Sequence, residues 1–384
     1  MKTIRFGVIG LGSMGGIHAQ QLAQGLVPRA TLAAVADTEA DLSAYAPAKP
    51  FTDSAELIRS GEVDAVLVAT PHYSHTSIGI DALQQGLHLL VEKPISVHKA
   101  DCERLIAAHT DKKQVFAAMF NQRTDPHYTR LHHLIKSGEL GEIRRINWII
   151  TNWFRSQAYY NSGGWRATWG GEGGGVLINQ CPHNLDLLQW LFGLPKSIRA
   201  FASLGRYHEI EVEDDVTAYL EYPNGATGIF IASTGEAPGT NRLEIAAENG
   251  RVVVENGRIL WTRNEQPVTQ FSHTTDQRWT TPPTWEVEIP VNGSGEQHLG
   301  IMKNFVEAIL DKKPLIAPAA EGLHSVELAN AMLYSAHTGK TVELPLNARS
   351  YELLLKSRIA NSRFKKKVVK KHVARDLSNS FGKI

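Results

Sequence analysis

Through the first third of the chain, residues gather in short, largely apolar runs separated by stretches with helical spacing. Ile4 to Ile9, Thr31 to Ala36, Val63 to Ala69, Leu87 to Val91 and Val115 to Phe120 read as strands. Gly16 to Gln24, Ser77 to Gln85 and Ala100 to His109 read as helices between them, and Asp37 to Pro50 is polar and proline-bearing. Strands without a polar face, alternating with helices, predict a doubly wound parallel sheet covered on both sides. Ligands of such sheets bind beyond the carboxyl ends of the strands. The polar tips Asp37, Thr70-Pro71-His72, Glu92-Lys93-Pro94 and Asn121-Gln122 all lie at those ends, so they are expected to converge on one crevice.

From about Arg123 the pattern changes. Strand-like runs at Arg144 to Asn152, Ser197 to Ser203, Val216 to Tyr222, Thr227 to Ser233, Arg242 to Ala247, Arg251 to Glu255 and Arg258 to Thr262 follow closely on one another. Asn224-Gly225, Asn249-Gly250 and Asn256-Gly257 sit between neighbours, and Asn-Gly is the strongest short hairpin signal. A mostly antiparallel sheet is expected, closed by helices at His298 to Leu310 and Glu321 to His337. From Tyr351 a helical segment leads to Lys365-Lys366-Lys367 and Lys370-Lys371, read as a solvated face or an oligomer contact.

The candidate chemistry starts at the first strand. Gly10, Gly12 and Gly15, with Ser13 and Met14 between the last two, stand in GxGxxG spacing between strand and helix. That spacing permits a tight turn, close approach of backbone to a pyrophosphate, and close packing of helix on strand. The helix N-terminus offers free N–H groups to phosphate. Asp37, about 20 residues past the last glycine, is placed to accept ribose hydroxyls. It would repel a 2′-phosphate, and Thr38 and Glu39 offer no neutralising arginine, which predicts NAD rather than NADP.

Lys93, at a strand's carboxyl end, is suited to hydrogen-bond a substrate hydroxyl and stabilise a developing alkoxide. Most lysines sit at the surface; the crevice position and the following Pro94 weigh against that here. Downstream, Gly173-Gly174-Gly175 leads through Asn179 and Pro182 to His183 and Asp186. Either one helix runs through Pro182 with a kink, or Pro182 opens a new helix with His183 in its first turn. Both place His183 near Asp186. Histidine suits proton removal from an alcohol near neutral pH, and the glycines permit close approach to a ligand. Between these motifs lie Trp153, Phe154, Arg155, Tyr159, Tyr160, Trp165, Arg166 and Trp169. Aromatic faces with planar donors suit a sugar ring, although some of these residues must be core.

Composition changes the picture by exclusion. The 384 residues are 42% hydrophobic and 21% charged, enough for two domains, with a formal net charge of +1. No global field draws nucleic acid or an anionic membrane. Cys102 and Cys181 make neither a disulfide framework nor a metal spacing, so no metal site is expected. No apolar run approaches the ~20 residues of a membrane span, and the opening strand is too short for a signal peptide. A cytoplasmic location is expected.

Together these residues resemble the glucose-fructose oxidoreductase, inositol dehydrogenase and rhizopine-catabolism (Gfo/Idh/MocA) superfamily, to about Pro345. The carriers are Gly10 to Gly15, Thr70-Pro71 with His75, Glu92-Lys93-Pro94, the glycine-rich His183 segment, and Glu321 to Pro345 with Gly339-Lys340 and Leu344-Pro345. The resemblance implies a Rossmann domain over residues 1–122, a substrate and oligomerisation domain over 123–345 built on an open sheet with helices on one face, and an extension over 346–384. It implies bound NAD held by Gly10, Gly12, Ser13, Met14, Gly15, Asp37, Thr70, Pro71, His72, His75, Glu92, Lys93 and Asn121. It assigns catalysis to Lys93 and His183 with Asn179, where the family often has Asp. Substrate contacts are expected from Lys93, Gln122, Arg155, Trp165, Arg166, Asn179 and His183. The implied activity is hydride transfer between a secondary hydroxyl of a sugar, glycoside or cyclitol and nicotinamide, in a homo-oligomer, dimer or tetramer. The alternatives are a glycosidase or lyase that oxidises a glycoside transiently, and a non-catalytic regulator. The intact Lys93 and His183 argue against the regulator.

Overall fold

The computed structural model describes residues 2–369. Strands β1 (Ile4–Ile9), β2 (Ala30–Ala36), β3 (Lys49–Phe51), β4 (Ala65–Val68), β5 (His88–Val91) and β6 (Phe116–Ala118) form one parallel sheet in the order β3-β2-β1-β4-β5-β6. All four residues of β4 are buried, as a strand with helices over both faces requires. The covering helices are α1 (Ser13–Ala23), α2 (Ser54–Arg59), α3 (His72–Gln84) and α4 (Lys99–Ala107). The strand order reverses between β1 and β4, which opens the ligand crevice there.

Three elements differ from the pattern reading. Helix α1 begins at Ser13, so Gly15 lies within its first turn rather than before it. Helix α3 begins at His72, directly after Pro71, which places His72 and His75 at its first turns. The unexpected β3 is a three-residue edge strand containing Pro50, too short to show a period and tolerated because its outer side is unpaired.

The second domain opens with α5 (Pro126–Lys136), which the sequence reading passed over, although Asp125 caps it and Pro126 starts it. There follow β7 (Ile143–Ile150), α6 (Gln157–Tyr160), α7 (Val176–Asn179) and α8 (Pro182–Phe192). Six strands come next: β8 (Ser197–Leu204), β9 (Glu213–Glu221), β10 (Thr227–Ser233), β11 (Asn241–Ala247), β12 (Gly250–Glu255) and β13 (Arg258–Asn264). Then come α9 (Val268–Thr274), β14 (Thr284–Ile289), α10 (Gln297–Asp311), α11 (Gly322–Thr338), β15 (Val342–Glu343) and α12 (Ala348–Asn361).

The nine-stranded sheet runs β14-β13-β12-β11-β7-β10-β9-β8-β15, antiparallel throughout except for β7 beside β10. Asn256 (φ 51°) and Gly257 (φ 69°) form the turn between paired Glu255 and Arg258, as a two-residue hairpin demands. Helices α8 and α11 cover one face, and the Ser335 hydroxyl on α11 accepts from the Ala200 N–H of β8 at 2.9 Å. Phe201 and Tyr219 stand exposed on the other face.

Two placements were not evident from the order of the chain. Helix α10 follows the large sheet in sequence, yet Ile301, Met302, Phe305 and Val306 pack into the first domain's core, with Phe305 against Phe6 at 5.9 Å. Residues 362–369 are extended rather than helical. There Lys366 is half-buried, and its Nζ donates to the carbonyls of Tyr160 (2.6 Å) and Arg166, while Lys365 and Lys367 are exposed. Lys370-Lys371 lies outside the described residues.

Candidate active site

The crevice at the strand reversal is shaped by glycines, two of which leave no room for a side chain. A Cβ on Gly10 (φ 87°) would lie 2.8 Å from the Ala69 carbonyl, and one on Gly15 would lie 1.8 Å from the Gly10 carbonyl oxygen. Gly12 faces open space, with nothing within 4 Å of the corresponding position. It precedes the first turn of α1, which has no side-chain cap; Ser13 is exposed and Met14 half-buried beside it. This is a cradle for an anion at a helix N-terminus. Asp37, at the tip of β2, accepts from the Leu11 N–H (2.6 Å) within the glycine loop and from the Glu39 (2.8 Å) and Ala40 (2.9 Å) N–H groups. Thr70 Oγ1, Asn121 Oδ1 and Gln122 Oε1 are buried without hydrogen-bond partners. Buried polar atoms in that state are costly unless a ligand engages them. Cradle, fixed carboxylate and unpartnered polar atoms fit a dinucleotide.

Two residues expected to touch the cofactor also bond within the protein. Both ring nitrogens of His75 lie 2.8 Å from carbonyl oxygens, those of Pro94 and Thr70, so His75 ties β4's tip to β5's. Glu92 Oε1 meets His18 Nε2 at 2.7 Å and Oε2 accepts from the Lys93 N–H at 3.1 Å, clamping β5 to α1. Burial pushes the Glu92 carboxyl up, but His18, with the charges of His298 and Lys93, outweighs it and holds Glu92 at about 2. Pro71 is exposed at the N-terminus of α3. His72 is buried edge-on to Trp165, with ring centroids 5.4 Å apart.

Lys93, Asn179 and His183 do come together. Lys93 Nζ donates to the Asn179 backbone carbonyl at 2.9 Å. Pro182 opens α8, so the arrangement with a new helix and His183 in its first turn is the one adopted. His183 is buried against the edge of Phe120, and its Nδ1 has no hydrogen-bond partner. Burial first, and the nearby Lys93 charge second, hold the imidazole well below the usual histidine range. It is therefore neutral at pH 7 and able to accept a proton. Burial likewise lowers Lys93, opposed by the charges of Glu92 and Glu172.

Asp186 does not orient His183. Its two oxygens take a bidentate pair from Arg123 at 2.7 and 2.6 Å, and both side chains are 1% exposed. Nor do the glycines before α7 admit a ligand. A Cβ on Gly173 would lie 2.0 Å from Val97, and one on Gly175 would lie 1.9 Å from the Glu213 carbonyl. They let this segment pack on the neighbouring strand and loop.

The aromatic segment divides. Trp153 and Trp169 are core, while Trp165 remains half-buried beside Arg166, whose guanidinium stacks over it at 4.6 Å. Arg155 and Arg166 also flank the Tyr159 ring at 5.3 and 4.7 Å. The Tyr159 hydroxyl accepts from Arg166 Nη1 (2.9 Å) and Gln180 Nε2 (3.1 Å) and donates to Asn179 Oδ1 (3.5 Å). The other end of that amide, Nδ2, donates to buried Glu172. The sequence reading named Tyr159 only as an aromatic and passed over Glu172, the one acid inside the glycine run. It also passed over His298, which enters from α10 on the far side of the large sheet in sequence. Burial and the neighbouring His18 and Lys93 charges hold His298 at about 4, although Glu92 opposes them. Among the described residues no group of three His, Cys, Asp or Glu is arranged to hold a metal, and no helix is long and apolar enough to cross a membrane.

Comparison with known proteins gives two matching family models. Residues 4–120 match the oxidoreductase family with an NAD-binding Rossmann fold, and residues 128–253 match the GFO/IDH/MocA C-terminal domain. The chain is 25% identical to inositol 2-dehydrogenase of Rhizobium meliloti, covering 89% of this chain and 99% of that one. It is 25% identical to levoglucosan dehydrogenase of Pseudarthrobacter phenanthrenivorans, covering 90% and 99%. Its fold is similar to that of the WlbA dehydrogenase from Bordetella pertussis, solved in complex with NADH and UDP-GlcNAcA. The TM-score there is 0.75, with 26% identity over 90% of this chain and 100% of that one.

Proposed function

The chain belongs to the Gfo/Idh/MocA oxidoreductase family, with NAD as its cofactor, and on that premise we propose that it oxidises a secondary ring hydroxyl of a pyranose sugar, glycoside or cyclitol. The observation that carries this reading is the pairing of two groups at the crevice. A lysine is held 2.9 Å from the Asn179 carbonyl, and a neutral imidazole lies beside it with a buried, unpartnered nitrogen. Gly12 and the N-terminus of α1 hold the pyrophosphate, Asp37 a ribose, and Thr70, Asn121 and Gln122 the groups nearer the site. Bound NAD supplies the hydride acceptor.

The chain's own residues handle the oxygen. Lys93 donates a hydrogen bond to the substrate hydroxyl oxygen and stabilises negative charge as it develops there. His183 takes the hydroxyl proton, for which its neutral state at pH 7 prepares it. Asn179 orients the substrate without exchanging protons. Trp165 and the stacked guanidiniums of Arg155 and Arg166 form the wall suited to a ring with apolar faces and neutral hydroxyls. The named relatives, dehydrogenases of inositol and levoglucosan, support a cyclic polyhydroxy substrate.

A panel of neutral sugars, glycosides and inositols, with a uronate and a phosphate ester, tests the reading by NADH formation. Sustained NADH with a neutral ring compound is expected. Highest specificity for the phosphate ester would refute the pocket assignment. Release of an aglycone without NADH would replace it with glycoside cleavage by transient oxidation.

A further inference from the structure

We propose that Glu172 is a positioning carboxylate of the catalytic centre, fixing the Asn179 amide and adding a second negative charge, beside that of Glu92, opposite the Lys93 ammonium. The proposal rests on the reading of Lys93 as the group that holds the substrate oxygen. Glu172 acts through Asn179 and is a positioning residue, not one that meets substrate.

The geometry runs as a chain of contacts. Glu172 is 2% exposed. One oxygen accepts from the Ala167 N–H at 2.5 Å and the other from Asn179 Nδ2. The Asn179 amide is thereby oriented, because its Nδ2 points at a carboxylate and its Oδ1 at the Tyr159 hydroxyl. The same residue's backbone carbonyl receives Lys93 Nζ. Asn179 thus stands between an acid and a base, bonded to both. Asparagine itself is neutral, so the charge opposing Lys93 from this side of the crevice is that of Glu172. A buried ammonium without such a charge loses its proton more readily.

Other groups also face the pair. Around Lys93, Glu92 supplies the larger negative charge from the β5 side, Glu172 adds the second from the Asn179 side, and Arg155 and Arg166 are cationic. The imidazoles of His72 and His75 on α3, His183 on α8 and His298 on α10 also face Lys93, and none of them adds negative charge. Around Glu172 stand Arg166, Lys366 from the extended C-terminal segment, the phenols of Tyr159 and Tyr160 on α6, and Glu213 on β9. Glu213 is spent on the Gly175 and Leu177 N–H groups at the start of α7.

The test follows the Lys93 Nζ resonance in NAD-bound protein carrying ¹⁵N-lysine, assigned by its loss in Lys93→Met. Glu172→Gln, nearly the same shape without the charge, is expected to move the Lys93 titration down by about one pH unit or more. The double variant Glu172→Gln/Asn179→Asp returns the carboxylate one contact away and is expected to bring the titration back. An unchanged titration in Glu172→Gln overturns the proposal, as does a folded double variant that titrates like the single one. Should Glu172→Gln not fold, Glu172→Ser, which also removes the charge, decides: a Lys93 titration lowered by about one unit or more supports the role, and an unchanged one overturns it. The readout needs no turnover, so failure of the sugar reading would show separately, as absence of NADH formation by the wild type.

Discussion

We assign the choice between NAD and NADP to Asp37, whose charge the structure holds in place. The carboxylate is held by three backbone N–H groups, those of Leu11, Glu39 and Ala40, at 2.6, 2.8 and 2.9 Å. A ribose 2′-phosphate would bring about −1.5 to −2 charges to the same place. Two unit charges about 4 Å apart repel by about 1 kcal/mol in bulk water and about 4 kcal/mol near a protein surface. Asp37 is half-buried, between those limits. At about 1.4 kcal/mol per tenfold, wild type should prefer NADH over NADPH by roughly 10- to 1,000-fold. Asp37→Asn keeps an oxygen for the Leu11 N–H, and so the loop, but removes the charge. The preference should fall to about tenfold or less. NADH affinity should weaken as well, because a charge-assisted bond to ribose, worth about 1.5–3 kcal/mol, becomes a neutral one. Titration of cofactor fluorescence with each protein measures both ratios. Equal affinity of wild type for the two cofactors, or an unchanged ratio in Asp37→Asn, would refute the reasoning.

The remaining predictions concern turnover, pH and stability. His183→Ala and Lys93→Ala should each lower kcat by roughly 100- to 10,000-fold, with NAD binding intact for His183→Ala and a milder loss in Asn179→Ala. Near-wild-type kcat in either of the first two, at saturating NAD, would remove that residue's role. In the pH profile of kcat/KM, the rate should rise as His183 loses its proton, with the limb below pH 6.5 because burial and Lys93 lower that group. It should fall again as Lys93 deprotonates, with the limb below 10.5 because burial lowers the ammonium. An acid limb above 6.5 would contradict the assignment. Arg123→Met should destabilise the protein by about 3–5 kcal/mol, because it strands the buried Asp186 carboxylate. Arg123→Met/Asp186→Leu should recover much of that in denaturant unfolding.

What was legible along the chain was what is local. A short, largely apolar run, three glycines and a helix announce β1 and α1, because turn, close approach and phosphate cradle need those residues in that order. Lys93 was legible as a charged residue at a buried strand's end. Helix α10 was legible as a helix but not as part of the first domain, since its period says which face is apolar and not what that face meets. The contacts that make the site depend on pairings the pattern does not encode. Asp186 had a nearer partner on paper in His183, but the bidentate guanidinium of Arg123, from another segment, claims it. The glycines before α7 looked like room for a ligand and instead accommodate Val97 and the Glu213 carbonyl. Glu172 was hidden among them because its meaning lies in the Asn179 amide it touches.

The most direct test of the central claim follows the hydrogen itself. A pyranoside deuterated at its ring carbinol carbons, incubated with the enzyme and NAD, is expected to yield deuterated NADH and a keto sugar. Glycosyl cleavage that leaves the cofactor oxidised, or NADH free of deuterium, would contradict it.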